Sequence, residues 1–244
     1  MRSRGRAVAR VPVRRSAAVL AALSLLVPAC RYPRDAQGTL DEVRGATLRV
    51  GVIDDSPWAS TRAGRHRGVE VTLVEQLAGR LDARVEWVDG PAHELLTALE
   101  EHVVQLVVGG LVSDDPWGGR VTFTPPYATT EVVVAVPRGR TAPESLAGRE
   151  VAVERGSPAE AAVEGRGGQP LPVDDLRDAR EGLVAAEEWQ LDTLGYEPSA
   201  IRLVTHHHVM AVPKGENAWL VEVEDFLDAS RPRAQRLIAE AAEG

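Results

Sequence analysis

The chain has 244 residues and a formal net charge of −8, with 44% hydrophobic and 26% charged residues, a globular composition that excludes a disordered or fibrous chain. The charge is uneven: residues 1–30 hold six arginines and no acid, so the remainder sets 22 basic against 36 acidic residues and carries −14. A body that acidic repels phosphate backbones and excludes nucleic acid as a partner, and a single cysteine excludes an intrachain disulfide and a cysteine-based metal cluster.

Arginine-rich residues 1–15 lead into the apolar run Ser16–Leu26. The run is shorter than the ~20 apolar residues a bilayer span needs. A basic start, a short apolar run and small residues after it describe an export signal over residues 1–29. In Leu26-Val27-Pro28-Ala29-Cys30 the only cysteine directly follows the run. This resembles the lipobox of bacterial lipoproteins, in which the thiol is acylated and the chain is cut before it. The resemblance implies Cys30 as a lipid anchor that tethers the protein to the extracytoplasmic face of the cell membrane without spanning it. Residues 30–45 are polar and read as a tether.

Thr47–Ile53 is a strand by its β-branched content, ended by Asp54-Asp55-Ser56-Pro57. Val69, Leu73, Leu77 and Leu81 step along one helix face. Arg84–Val88 alternates as a strand, Leu95–Leu99 sits on a second helix, and Val103–Val108 is a nearly continuous apolar strand, as in a sheet covered on both faces. This β-α-β-α-β order implies a parallel sheet with right-handed crossovers. Val133–Gly139 (VVAVPRG) and Val209–Gly215 (VMAVPKG) form a near-repeat: either two unrelated strand ends, or two similar strands crossing between lobes. Between them lie strands at Val151–Glu154 and Leu183–Ala186, with Ser157 as N-cap and Pro158 as first residue of a short helix. Two helices, Asn217–Leu227 and Pro232–Ala242, close the chain.

The order of these elements resembles the family 3 extracellular solute-binding proteins, the receptor subunits of polar amino-acid ABC importers. The resemblance is carried by Leu48-Arg49-Val50-Gly51-Val52, Pro57-Trp58, Gly68-Val69-Glu70-Val71, Gln105–Leu111 (QLVVGGL) with Val121–Tyr127 (VTFTPPY), Leu146–Val153 with Gly156-Ser157, and Ala211–Gly215 (AVPKG). It implies an α/β, two-lobed, periplasmic-binding-protein-like type 2 fold with two hinge strands. Lobe 1 is expected over 46–134 and 213–244, and a short lobe 2 over 137–207. A solute would lie in the cleft and the lobes would close on it. The resemblance further implies a monomer that serves an ABC permease or a membrane sensor, with no cofactor.

In amino-acid-binding relatives an arginine seven residues after the glycine of a turn grips the ligand carboxylate, a task suited to the guanidinium fork. Counted from Gly110, that position is Trp117, and the turn's threonine is replaced by Val112. Arg120, three residues further on, is the one nearby substitute. Gly110, Leu111 and Val112 themselves would line the turn. The resemblance places Trp58 beside the ligand and Glu187 where relatives pair an acid with the ligand ammonium. With Trp117 as a second ring and Asp54 at the mouth, two indoles and two acids favour a cation; the competing reading makes Trp117 a plug in a degenerate cleft. Gly156 and Ser157 at a helix start favour an anion instead, or serve only as a cap. His206 and His208 share a strand face and read as hinge packing, surface or a metal site; no metal is expected. No nucleophile elbow, zinc-protease motif or phosphate loop is present, although a small lyase or dehydratase with Glu187 or Asp54 as general acid remains an alternative.

Overall fold

A computed structural model describes residues 33–179 and 181–242. The expected signal sequence and Cys30 lie outside the described residues. Among the described residues no helix is long and apolar enough to cross a membrane.

The elements in chain order are α1 (Thr39–Val43), β1 (Thr47–Val52), α2 (Val69–Arg80), β2 (Arg84–Asp89), α3 (Ala92–Glu100), β3 (Leu106–Val108), β4 (Thr122–Phe123), β5 (Ala128–Pro137), β6 (Glu150–Glu154), α4 (Ala159–Glu164), β7 (Gln169–Val173), β8 (Leu183–Glu187), α5 (Leu191–Leu194), β9 (Tyr196–His208), β10 (Ala211–Val212) and α6 (Asn217–Ala242). They build two five-stranded sheets, ordered β2-β1-β3-β10-β4 and β7-β6-β8-β5-β9. In the first, β1 runs parallel to β2 and β3, as its alternation of strands and helices requires. In the second, β6 is parallel to β7 and β8, whereas β5 is antiparallel to β8 and β9. The fold is therefore the expected α/β one with two mixed-sheet lobes.

The chain crosses between the sheets earlier than the near-repeat predicts. β4 lies in the first sheet and β5 pairs in the second from Ala128 onward, so residues 128–134 leave lobe 1. Val133, Val134 and Ala135 are fully buried on β5, an interior strand of the second sheet between β8 and β9. An apolar run suits a central strand as well as a hinge, which is why composition did not separate the two. The return crossing follows β9. The two crossings bond to each other: Thr124 N donates to Met210 O at 2.9 Å and Tyr127 N to His208 O at 3.0 Å.

Two further expectations change. Residues 33–45 do not hang free as a tether; they dock on lobe 1 through a reciprocal cap. Asp35 accepts from Leu40 N in α1 at 2.8 Å and from Trp219 N in α6 at 2.9 Å. Buried Glu216 accepts from Gln37 N and Thr39 N at 2.9 and 3.0 Å, satisfying amides at a helix start. Burial alone would raise the Glu216 carboxyl, but these bonds outweigh it and hold it below its usual range. Proline does not split the last helix either: α6 is continuous, with exposed Pro232 inside it. Trp219, Val223, Phe226, Leu227, Ala234 and Ile238 are all buried in one cluster, so the packing on both sides of the proline holds the two halves in line.

Candidate functional site

The carboxyl ends of parallel strands face the cleft in an open α/β sheet, and four such ends converge here. β1 runs out into Asp55 and Trp58, β3 into Gly110, β6 into Glu154 and Ser157, and β8 into Glu187 and Trp189. With His206 and His208 from β9 they line a cavity of about 330 Å³, floored by Val132, Ala185 and Ala186. None of its lining residues is lysine or arginine.

The lobe 1 wall is braced from beneath. Glu70, fully buried at the start of α2, accepts from Gly109 N and Gly110 N and from the Tyr127 hydroxyl at 2.6 Å. Those bonds favour the carboxylate, but desolvation wins and lifts Glu70 to about 7. Val69 N and Glu70 N donate to Pro57 O and Trp58 O, so the first amides of α2 also fix the Trp58 loop. Gly110 sits at φ 73°, and a Cβ there would fall 2.2 Å from Asp55 Oδ2. Glycine at this position therefore leaves room for the Asp55 carboxylate.

Asp55 is exposed to the cavity yet walled by protein. Desolvation first, then the charges of Glu154, Asp54 and Glu187, raise it to about 6. Glu187 Oε1 lies 2.7 Å from His206 Nδ1, and this bond raises the imidazole above its usual value. His208 stacks on Trp58 with centroids 3.7 Å apart, and Trp58 meets Tyr127 edge-on. Desolvation drives His208 down to about 3, so it stays neutral, with Nε2 2.9 Å from Thr130 Oγ1.

The predicted site residues divide. Trp58, Gly110, Val112, Ser157 and Glu187 line the cavity; Asp54, Leu111, Trp117 and Gly156 do not. Asp54 Oδ1 instead accepts from Thr61 N at 3.0 Å. Leu111 is core, 5% exposed. Trp117 lies on the turn Pro116–Gly119, packed on the cluster around Leu111 and Val121, with the Arg120 guanidinium 4.7 Å above its ring. Arg120 also pairs with Glu100, so neither residue reaches the cleft as ring or clamp. The second indole of the cavity is Trp189. Gly156 N donates to Glu160 Oε1 at 2.6 Å and is therefore taken within the chain, while the Ser157 side chain makes no capping bond to the six-residue α4 and its buried Oγ has no partner at the cavity wall. His206 and His208 do share a face, while His207 meets Thr129; no metal-binding cluster forms among the described residues.

Asp55, Glu154, Trp189 and the buried Glu70 were missed. The signal for the first three was position: each lies at, or within three residues of, the carboxyl end of a parallel strand. Glu70 carries no such mark, because a buried acid at a helix start reads as an ordinary first-turn acid.

The fold has counterparts among solved structures. An ancestral cationic amino acid solute-binding protein superposes with a TM-score of 0.71 at 21% identity, over 83% of this chain and 99% of that one. The L-cystine solute receptor of Neisseria gonorrhoeae, unliganded and open, gives 0.67 at 17% identity over 83% and 98%. An ancestral arginine-binding protein bound to arginine gives 0.55 at 22% over 83% and 100%. At these identities the likeness is one of fold. No curated protein sequence matches the chain. The family model of the bacterial extracellular solute-binding proteins, family 3, matches residues 48–235, and the chain belongs to that family.

Proposed function

We propose that this chain is an exported, lipid-anchored receptor that captures a small cationic solute between its lobes and delivers it to an ABC-type importer. The observation that carries the reading is the cavity wall: three carboxylates, two indoles and no lysine or arginine. Each indole face adds about 0.5–2 kcal/mol of attraction for a cation, and lobe closure strengthens the carboxylate attraction by excluding water. The missing carboxylate clamp agrees, since Trp117 and Arg120 are both spent elsewhere. Export and anchoring rest on the apolar run before Cys30.

Titration of intrinsic tryptophan fluorescence with amines and with carboxylates tests this reading, because Trp58 and Trp189 line the site. A saturable response to amines supports it; a response to anions alone rejects it. A permease and an ATPase encoded beside the gene favour import over sensing. A second reading rests on the Glu187–His206 contact of 2.7 Å, since a carboxylate-oriented imidazole is an acid–base pair. Turnover of a candidate substrate, lost in Glu187→Gln, supports that enzyme.

A further inference from the structure

The cation-receptor reading underlies a narrower inference: we propose that the guest is a dication without a carboxylate, a short diamine or an amino-guanidine, spanning an acid-and-indole station on each lobe. Asp55 with Trp58 forms the lobe 1 station; Glu154 and Glu187 with Trp189 form the lobe 2 station.

Charge balance is the first argument. The lining groups sum to −2 when His206 is an imidazolium and −3 when it is neutral. His208 contributes nothing, being held neutral by burial. The arginines of the adjoining groove, Arg62 and Arg177, lie outside this cavity, and Arg177 is taken by Asp175 at 3.3 Å. A single ammonium therefore leaves at least one carboxylate without a counter-charge as water leaves, and an uncompensated buried charge is costly. An amino acid adds a carboxylate of its own to the same cavity. The stations sense each other: Glu154 and Glu187 both disfavour the ionised form of Asp55 across the cleft.

Hydrogen bonding is the second argument, independent of the charge count. Glu187 Oε1 is taken by His206, while Oε2 is buried and has no partner. Buried carboxylate oxygens are ordinarily bonded, and no lining lysine or arginine supplies a donor. An N–H-bearing cation fills that place; a quaternary ammonium does not.

Isothermal titration of the purified protein with 1,4-diaminobutane, 4-aminobutylguanidine, 1-aminobutane and lysine tests the inference. At least one dication should bind about tenfold or more tighter than 1-aminobutane and lysine. Asp55→Asn and Glu154→Gln should each bring the ratio of dication to 1-aminobutane affinity most of the way back to one. Glu154 is exposed, so its variant keeps the fold even if the Asp55 loop suffers. Equal affinity for 1-aminobutane, or tightest binding of lysine, overturns the dication and leaves the cation receptor standing. Binding of none of the four overturns both.

Discussion

The lobe 1 wall of the cavity is held in place from the protein interior, whereas the lobe 2 wall carries its chemistry at the surface. On lobe 1, fully buried Glu70 ties two glycine amides and a tyrosine hydroxyl together, and Trp58, 5% exposed, is wedged against His208. On lobe 2, Glu154 is exposed, Glu187 and Trp189 are half-buried, and three buried polar atoms, Ser157 Oγ, Glu187 Oε2 and Trp189 Nε1, lack partners. The Glu70 brace on lobe 1 is complete without a ligand, whereas on lobe 2 the Glu187 Oε2 acceptor is left for one. Substitutions should therefore separate, with stability lost from lobe 1 and affinity lost from lobe 2.

The largest effect is expected at Glu70. Glu70→Ala leaves two amides and a hydroxyl buried without partners and should cost about 3 kcal/mol or more at pH 5, read by urea unfolding. The carboxyl also sets a pH slope. Its folded value of about 7 lies above the usual 4.5, so between those values the folded state binds the extra proton. Stability from this group is complete below about 4.5 and declines as pH rises to about 7, by on the order of 3 kcal/mol. Glu70→Gln keeps an acceptor for the glycine amides and should flatten that decline; an unchanged slope would show that the buried carboxyl is not its source.

Binding responds next. Glu187→Gln should weaken a cationic ligand by about tenfold to a hundredfold, as expected for a charge-assisted bond of about 1.5–3 kcal/mol. Its unfolding midpoint should move little. Trp189→Leu against Trp117→Leu sharpens the contrast. The first should lose about threefold to thirtyfold in affinity through its ring, and the second should bind as the parent does. Equal losses in the two variants would return Trp117 to the site. The smallest effect belongs to Arg120→Gln, which removes a half-exposed pair with Glu100 and should change stability by less than about 1 kcal/mol and affinity not at all.

The two lobes were also unequally legible in the sequence. The parallel β1–β2–β3 unit follows from β-branched runs alternating with a 3.6-residue apolar step, a local signal. β7 (QPLPV) and most of β9 (YEPSAIRLVTHHH) carry no such signal, because prolines and polar residues interrupt them and their strand state comes from pairing with β6 and β5. The continuous α6 was hidden for the same reason: Pro232 breaks a helix by local rule, and only packing of both halves on one surface overrides it. At the site, Trp58 and Glu187 were readable from their place in the chain order. Trp117 was not, because counting residues from Gly110 says where a side chain begins and not which way a turn aims it. The turn Pro116–Gly119 aims this one into the cluster around Leu111.

The most direct test is a crystal structure of the protein with a bound amine. An ammonium or guanidinium nitrogen is expected within hydrogen-bond distance of a Glu187 carboxylate oxygen, with Trp58 and Trp189 on either side. An amine seated outside this cavity, or a ligand whose carboxylate rests against Ser157 while Glu187 keeps only His206, would contradict it.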